Sequence, residues 1–210
     1  MPEKPPQSSP KPDRRAAREA RIAEAAYALL EEKGFAGTSM LAIARRARAS
    51  NETLYNWYGD KTGLFKALIL RNSADLRAML DAAPDGTPAI ETLRAMGPLL
   101  LRLLLGDRAI ALNRAAAADA TGTLGQALAA AGRDTVLPRI TALIARAGAE
   151  ADLGFETVEG AAETYIRLLV GDQQIRRAIG ALPEPGETEI EAHAAKAFTQ
   201  FSALFAPSTA

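Results

Sequence analysis

The chain has 210 residues, of which 48% are apolar and 5% aromatic, and it contains no cysteine. This length suits one large domain or a small domain joined to a medium one. The absence of cysteine excludes disulfide frameworks, thiol catalysis and cysteine-ligated zinc. Abundant alanine and the near absence of alternating runs of strand formers predict an all-α fold.

The formal net charge of zero conceals an asymmetry along the chain. Residues 1–72 carry 13 Lys and Arg against 8 Asp and Glu, whereas residues 73–210 carry 12 against 17. Charge fluctuates along any chain, but a basic first part and an acidic remainder also suit a protein that presents one end to a polyanion. The longest apolar run, residues 99–105, is too short to span a bilayer. We therefore expect a cytoplasmic protein without a membrane partner.

The first predicted elements are a disordered arm and a helix. Residues 1–13 contain five prolines together with Ser, Gln and Lys, a composition typical of disorder. The helix is expected from its N-cap Asp13 to Lys33, and Gly34 ends it. Ile22, Ala26, Leu29 and Leu30 recur at helical spacing and predict its buried face.

Residues 38–61 predict two short helices joined by a tight turn, Met40–Ala47 and Asn51–Tyr58. Thr38 or Ser39 caps the first helix and Ser50 the second, with Leu54 pointing inward. The spacing suits a helix-turn-helix, whose second helix lies in the major groove of DNA. On that helix Asn can pair with adenine, a Thr methyl can meet a thymine methyl, and Glu can accept from cytosine.

Charged and aromatic residues surround this helix pair. Arg45, Arg46 and Arg48 can attract phosphates nonspecifically. Lys61 lies in the first turn of the following helix, where a cation opposes the helix dipole and an anionic phosphate would offset that cost. Trp57 leaves two alternatives open, which are packing in the core and donation of its ring N–H to a phosphate.

This segment resembles the N-terminal domain of TetR/AcrR-type transcriptional regulators over about residues 14–69. The most specific part is Thr53-Leu54-Tyr55, followed six residues later by Lys61, and it implies phosphate contacts for Tyr55 and Lys61. The family usually has glycine where this chain has Arg48, so either Arg48 is left-handed or the turn is built differently. The expected DNA contacts are Thr38, Ser39, Arg48, Ser50, Asn51, Glu52, Thr53, Tyr55, Asn56, Trp57 and Lys61.

The rest of the chain predicts a helical body, which divides the protein into an arm at 1–13, a DNA-binding domain at 14–72 and a ligand-binding and dimerisation domain at 73–210. A long helix should run from Asp60 through Leu80 and end at Pro84-Asp85-Gly86. Further helices are expected at 89–105 with a kink at Pro98, at 108–119, at 123–148 with a bend at Pro138, at 156–180 and at 189–205.

The last two predicted helices carry wide apolar stripes. Such a hairpin can pair with its own copy, or both stripes can face only the internal core. The resemblance favours dimerisation, because these regulators usually pair through their last two long helices, and a palindromic DNA site would match that symmetry. The candidate interface residues are Tyr165, Leu169, Phe198, Phe201 and Phe205.

The resemblance also implies a small-molecule effector bound within the helical body. Polar side chains inside apolar stretches are the candidates, and the alternative for each is an exposed or packed residue without a ligand. Arg102 would favour an anionic ligand if it faced a cavity. The candidates are Arg102, Asn113, Arg114, Tyr165, Gln173 and Gln174.

Enzyme chemistry finds little support in the sequence. His193 is the one histidine, so neither a Cys/His metal site nor a convincing nucleophile–base pair is available, and no cofactor motif is present. We expect a homodimeric, sequence-specific regulator of double-stranded DNA, a repressor released by a small-molecule inducer. Two alternatives stay open: a helical protein-interaction module without DNA binding, and a helical enzyme built around carboxylates.

Overall fold

The structure, a computed structural model, describes residues 14–82 and 87–207. These residues form helices with no strand among them, which confirms the predicted all-α fold. The helices are α1 Arg14–Lys33, α2 Met40–Ala47, α3 Asn51–Tyr58, α4 Lys61–Asn72, α5 Ala74–Asp81, α6 Ala89–Leu105, α7 Asp107–Ala117, α8 Thr123–Leu128, α9 Asp134–Ala151, α10 Val158–Val170, α11 Gln173–Ala178 and α12 Glu187–Leu204. The predicted arm with its cap Asp13 and the turn Pro84-Asp85-Gly86 lie outside the described residues. Within the described ranges, no helix combines the length and apolar character needed to cross a membrane.

The chain divides into two compact units, one ending at Lys61 and the other beginning at Thr62. By packing, α4 beyond Lys61 therefore belongs to the second unit. The domain boundary expected at residue 72 remains a prediction about where the two functions divide.

The first unit is built from α1, α2 and α3 around a small apolar core. Ile22 from α1 and Leu54 from α3 are fully buried, and Ile43 from α2 is nearly so. An eight-residue helix is unstable alone, so α2 and α3 depend on burying these side chains against α1. The inward faces predicted for α1 and α3 are confirmed.

The second unit has its core where α6, α9, α10 and α12 meet. Leu93 and Met96 of α6, Ile144 of α9 and Phe201 of α12 are fully buried there. The ring of Tyr165 on α10 packs edge-on against Phe201, with 5.1 Å between ring centroids. Close-packed helices of this kind gain their stability mainly from apolar area removed from water.

The five residues predicted for a dimer interface belong to this core or to its edge. Tyr165, Leu169 and Phe201 are fully buried within one chain, and Phe198 is almost fully buried. Phe205 is half-buried, 5.0 Å from the Phe201 ring centroid. The expectation that these side chains form the interface is therefore wrong for the four buried ones, because α10 and α12 turn their apolar stripes onto α6 and α9. For Phe205 it stays a prediction.

Three helices predicted as continuous are interrupted. The one expected at 156–180 divides into α10 and α11 at Gly171, whose φ of 52° lies outside helical geometry.

The long helix expected from Asp60 ends at Asn72, because the Leu70 carbonyl accepts from the Ser73 hydroxyl at 3.3 Å and from the Arg77 guanidinium at 2.7 Å. These side chains take a carbonyl that a further helical N–H group would otherwise use, whereas the Ile69 carbonyl keeps its helical bond from the Ser73 N–H.

The helix predicted at 123–148 is interrupted by a π-helical turn, Ala129–Arg133, between α8 and α9. The Thr135 hydroxyl lies 3.0 Å from the Ala131 carbonyl and 2.8 Å from the Gly132 carbonyl, so it satisfies oxygens that the wider turn exposes. Such turns are found frequently at functional sites.

Candidate nucleic-acid interface and cavity

Two serines fix the starts of α2 and α3. The Ser39 Oγ accepts from the Ala42 N–H at 3.2 Å, and the Ser50 Oγ accepts from the Thr53 N–H at 3.0 Å. Both are N-caps, which satisfy a backbone donor that the helix itself leaves open. Ser39, rather than Thr38, is thus the cap of α2.

Arg48 takes the left-handed conformation, with φ 51° and ψ 46°. The following N–H, of Ala49, donates to the Ala44 carbonyl at 2.9 Å, which is the bond that closes a Schellman turn. The turn is therefore built as glycine would build it, with an arginine in place. A side chain in this conformation costs about 1–2 kcal/mol relative to the right-handed form.

The face of α3 opposite Leu54 is open to solvent. Asn51, Glu52, Tyr55 and Asn56 are exposed, and the Tyr55 side chain is among the large apolar groups that stay in water, at 49% exposure. Thr53 is half-buried, and its Oγ1 lies 2.7 Å from the Ser50 Oγ. The predicted reading residues thus lie on one accessible surface.

Trp57 is half-buried between α3 and α1. The guanidinium carbons of Arg15 and Arg18 lie 5.2 Å and 6.0 Å from its ring centroid. These cation–π contacts join the basic first turns of α1 to the end of α3. Of the two alternatives for Trp57, the structure displays the packing role.

The predicted contacts at Thr38 and Lys61 have backbone partners in the structure. The Thr38 hydroxyl is buried and donates to the Leu29 and Gly34 carbonyls, at 3.0 Å and 2.8 Å. Its expected phosphate contact is therefore wrong, because it has no route to solvent. The half-buried Lys61 ammonium donates to the carbonyls of Phe35 and Thr38, at 2.8 Å and 3.0 Å, and burial lowers the pKa of Lys61. These carbonyls supply the negative partner that was expected of a phosphate.

A basic strip borders the exposed face of α3. Arg45, Arg46 and Arg48 are all exposed. Arg46 pairs with Glu32 of α1 at 2.6 Å. Within residues 14–82 and 87–207, Arg45 and Arg48 form no ion pair with an acidic side chain. Their charge is therefore available to an external anion.

The second unit encloses a cavity of about 560 Å³. The end of α4, helices α6 to α10, the π-turn and Gln174 of α11 contribute to its wall. Most lining side chains are aliphatic. The polar and charged lining residues are Asn72, Ser73, Asn113, Arg133, Glu163, Arg167 and Gln174.

Of the candidate ligand residues, Asn113 and Gln174 lie in this wall, and their contact with a ligand stays a prediction. Arg102 does not, because its guanidinium pairs on the surface with Glu187 and Glu191 of α12. Arg114 is also outside, and it donates to the Ala178 carbonyl at 2.7 Å. Both expectations are corrected.

Tyr165 and Gln173 are likewise absent from the cavity wall. The Tyr165 hydroxyl donates to the buried Leu93 carbonyl at 3.2 Å, and burial raises the pKa of Tyr165. The Gln173 amide lies 3.0 Å from the His193 ring nitrogen, in a cluster between α11 and α12. These polar groups are satisfied inside the fold and do not face a ligand.

Sequence reasoning missed the charged part of the wall. Glu163 and Arg167 lie four residues apart on α10, a spacing that puts both on one helix face and could have been noticed. Arg133 reaches the cavity from the π-turn, for which no sequence signal was recognised.

Comparison with known proteins agrees with this architecture. The profile described as bacterial regulatory proteins, tetR family, matches residues 22–68. A second, described as the C-terminal domain of AefR-like transcriptional repressors, matches residues 91–207. An HTH-type transcriptional repressor of Streptomyces coelicolor is 38% identical over 95 residues, which are 43% of this chain and half of that protein's length.

Solved structures extend the likeness to nearly the whole chain. A TetR transcriptional regulator from Agrobacterium tumefaciens is 29% identical, with a TM-score of 0.66 over 90% of this chain and 94% of that one. The flavonoid-responsive regulator FrrA is 25% identical, with a TM-score of 0.65 over 92% of this chain and 100% of that one. Since the two profiles together cover both units, and the second alone more than half of the chain, this protein belongs to the TetR family of bacterial transcriptional regulators.

Proposed function

We propose that this protein is a homodimeric repressor that binds a palindromic DNA operator through its first unit and is released by a small molecule bound in the second. The observation that carries the proposal is the exposed face of α3, with Asn51, Glu52, Tyr55 and Asn56 in water beside Arg45 and Arg48, which form no ion pair with any described acidic residue. A repressing role is supported by two similarities, to a transcriptional repressor of Streptomyces coelicolor and to the C-terminal domain of AefR-like transcriptional repressors.

The contacts divide into two chemical classes. Asn51, Glu52, Thr53 and Asn56 read base edges, since amides, carboxylates and methyl groups distinguish bases in the major groove. Ser39, Ser50, Arg48, Tyr55 and the remaining N–H of Lys61 meet phosphates, which position the helix without reading sequence. Thr38 has no direct role, and Trp57 acts by holding α3 against α1.

Dimerisation through the last helices requires side chains that a single chain leaves uncovered. The outer face of α12 offers a row of exposed small residues: Thr188, Ala192, Ala195, Thr199 and Ala203. Small side chains let a helix of a second copy approach closely. Two reading helices related by a two-fold axis would then meet successive major grooves about 34 Å apart.

The dimer can be tested directly by measuring the molar mass of the protein in solution. Ala195→Arg places a long charged side chain in this row and should give a monomer by light scattering coupled to size exclusion. Ala145→Arg, at an exposed alanine of α9, is the matched control and should remain a dimer. A dimeric Ala195→Arg variant would remove this face of α12 from the interface.

Release by an effector is a shift between two conformations of the protein. A ligand that binds one conformation better stabilises it in proportion to that difference in affinity. The cavity provides the place, and FrrA, described as flavonoid-responsive, supports a small organic effector for this fold. A regulator of bacterial genes would act in the cytoplasm, where the DNA lies.

The experiment is fluorescence anisotropy with labelled intergenic DNA from upstream of the gene. We expect specific binding that weakens steeply with salt, as phosphate contacts require. Tyr55→Ala and Asn51→Ala should weaken binding at least tenfold, a loss of about 1.4 kcal/mol, with unchanged circular dichroism. Arg146→Ala, at an exposed arginine of α9, is the control and should bind as the unaltered protein does. Salt-independent or absent binding would favour the protein-interaction module or the enzyme instead.

A further inference from the structure

We propose that the cavity binds an amphipathic anion, with an apolar body against the aliphatic wall and one acidic head group at Arg133 and Arg167. The regulatory meaning of this ligand rests on the proposed function, whereas its binding does not.

The cavity wall indicates the size and apolar character of the ligand. Leu100, Leu104, Val136 and Ile140 line the cavity with other aliphatic residues, and no aromatic side chain is among the described residues that line it. A volume of about 560 Å³ lies in the range of about 300–1,000 Å³ typical of small-molecule sites. An aliphatic wall of this size suits a flexible chain or a small ring system.

The charges at one edge of the wall do not balance. A Glu163 oxygen lies 2.6 Å from the Arg167 guanidinium and another lies 3.8 Å from that of Arg133. One carboxylate thus faces two guanidinium groups, and these three are the charged residues among those that line the cavity. One positive charge remains for a ligand anion, and guanidinium groups bind carboxylates with well-matched geometry.

The π-turn explains why Arg133 is there. Regular α-helix geometry separates residues that are five apart, whereas the i→i+5 pairing of a π-turn brings them to one side. Ala129, Gly132 and Arg133 all line the cavity, as does Leu128 before them. The turn therefore serves to place a cation beside an apolar surface.

The amide side chains decide which end of the cavity takes the acid. The Asn113 Nδ2 donates to the Ala109 carbonyl at 2.9 Å, and the Gln174 Nε2 donates to the Leu104 carbonyl at 3.0 Å. Each amide keeps one N–H and its side-chain oxygen for a ligand, so both suit a neutral hydroxyl, but neither carries the positive charge that would offset an acid. The acidic head group accordingly belongs at Arg133 and Arg167.

The test is isothermal titration of the full chain, without DNA, with three probes of one chain length: decanoate, decan-1-ol and decylammonium. Because the side chains of Arg133 and Arg167 are 66% and 71% exposed, each guanidinium should contribute about two- to fivefold in affinity. We expect decanoate to bind at least fivefold more tightly than decan-1-ol, and decylammonium most weakly.

Variants locate the head group. Arg133→Gln and Arg167→Gln should each weaken decanoate about two- to fivefold and leave decan-1-ol unchanged, which also verifies that the cavity is folded. Glu163→Gln removes the competing carboxylate and should strengthen decanoate. The controls are Arg146→Gln on α9 and Glu159→Gln, one turn before Glu163 on α10, and both should match the unaltered protein.

The outcomes separate this inference from the proposed function. Equal affinity for the three probes, binding of none of them, or decanoate binding that ignores Arg133, Glu163 and Arg167 would overturn the anion site. Loss of operator binding by the unaltered protein would overturn the proposed function instead, because the titration contains no DNA.

Discussion

The ammonium of Lys61 lies 4.0 Å from the centroid of the Phe35 ring while it donates to the Phe35 carbonyl at 2.8 Å. One side chain at the start of α4 thus holds the loop between α1 and α2 through both the ring and the backbone of the same residue. The loop also supplies the carbonyl of Thr38, next to the cap of α2. Lys61 consequently stabilises the first unit before any DNA is bound.

Replacement of Lys61 by Met should loosen this loop. The variant keeps the length of the side chain but loses two charge-assisted hydrogen bonds, which we expect to cost about 1–2 kcal/mol in the partly exposed setting. Amide hydrogen exchange at residues 35–38 should accelerate by about tenfold or more. Lys66→Met, at an exposed lysine of α4, should leave this exchange unchanged. If the two variants showed equal amide exchange at residues 35–38, Lys61 would not stabilise the loop, and DNA contact would be its remaining role.

Replacement of Arg48 by Gly should stabilise the protein. Glycine adopts the observed φ of 51° without the steric cost that a Cβ brings, so the free energy of unfolding should rise by about 1 kcal/mol. Arg48→Ala removes the same charge but keeps the Cβ, and it should not gain this stability. Chemical denaturation of the three proteins measures the difference. If Gly and Ala gave equal midpoints, the left-handed turn would carry no strain.

Two glycines on helices should respond oppositely to alanine. A Cβ at Gly148 of α9 would lie 2.3 Å from the Phe155 ring, which packs 5.0 Å from the Phe205 ring centroid. Gly148→Ala should therefore destabilise by about 1–3 kcal/mol through overpacking. A Cβ at Gly125 of α8 meets nothing within 4 Å, so Gly125→Ala should stabilise by up to about 1 kcal/mol. Thermal unfolding compares them, and a neutral Gly148→Ala would mean that Phe155 moves freely.

The Arg102–Glu187 pair should show in the pH dependence of stability. The hydrogen bond from Arg102 holds the pKa of Glu187 below its ordinary value of 4.5. A lowered pKa in the folded state stabilises the protein above the ordinary value, and this contribution is lost as pH falls through the lowered one. In Arg102→Gln the Glu187 carboxyl should titrate nearer 4.5 by NMR, and the stability difference between the two proteins should shrink in acid.

The same variant tests the corrected cavity. Since Arg102 pairs with α12 outside the wall, Arg102→Gln should leave the affinity for any cavity ligand unchanged. An altered Glu187 titration with an unaltered ligand affinity is the expected combination. If the titration of Glu187 were unchanged, Arg102 and Glu187 would not be paired in solution. If the ligand affinity changed, Arg102 would belong to the ligand site.

The first unit could be predicted from the sequence because the interactions that determine its structure are local. Ser39 and Ser50 lie directly before the helices they cap, and Leu54 is the apolar residue among polar neighbours on α3. Capping and short-range burial act within a few residues, so the pattern suffices. The internal partners of Thr38 and Lys61 could not be predicted, because they are backbone carbonyls. Every residue has such a carbonyl, so no sequence pattern identifies the one that accepts.

The second unit was less predictable because its determinants are long-range. Periodicity identified the apolar stripes of α10 and α12, but it cannot tell whether a stripe meets its own chain or a second copy. The sequence predicts Tyr165 both as a ligand contact and as an interface residue, whereas the structure buries it fully, with its hydroxyl donating to the Leu93 carbonyl. Ser73 and the π-turn interrupt segments whose residues favour a continuous helix, so tertiary contacts override the local helix propensity there.

The π-turn at Ala129–Arg133 has an evolutionary consequence. Leu128 and Arg133 both line the cavity because the number of residues between them, and not the identity of those residues, puts them on one side. At regular α-helical pitch, about 100° per residue, the same five-residue separation would put the two side chains about 140° apart around the helix axis. Deleting one alanine would leave them four residues apart at regular pitch, about 40° around the axis and still on one face. A lineage could therefore lose one residue here, and the π-turn with it, and keep this cation at the cavity.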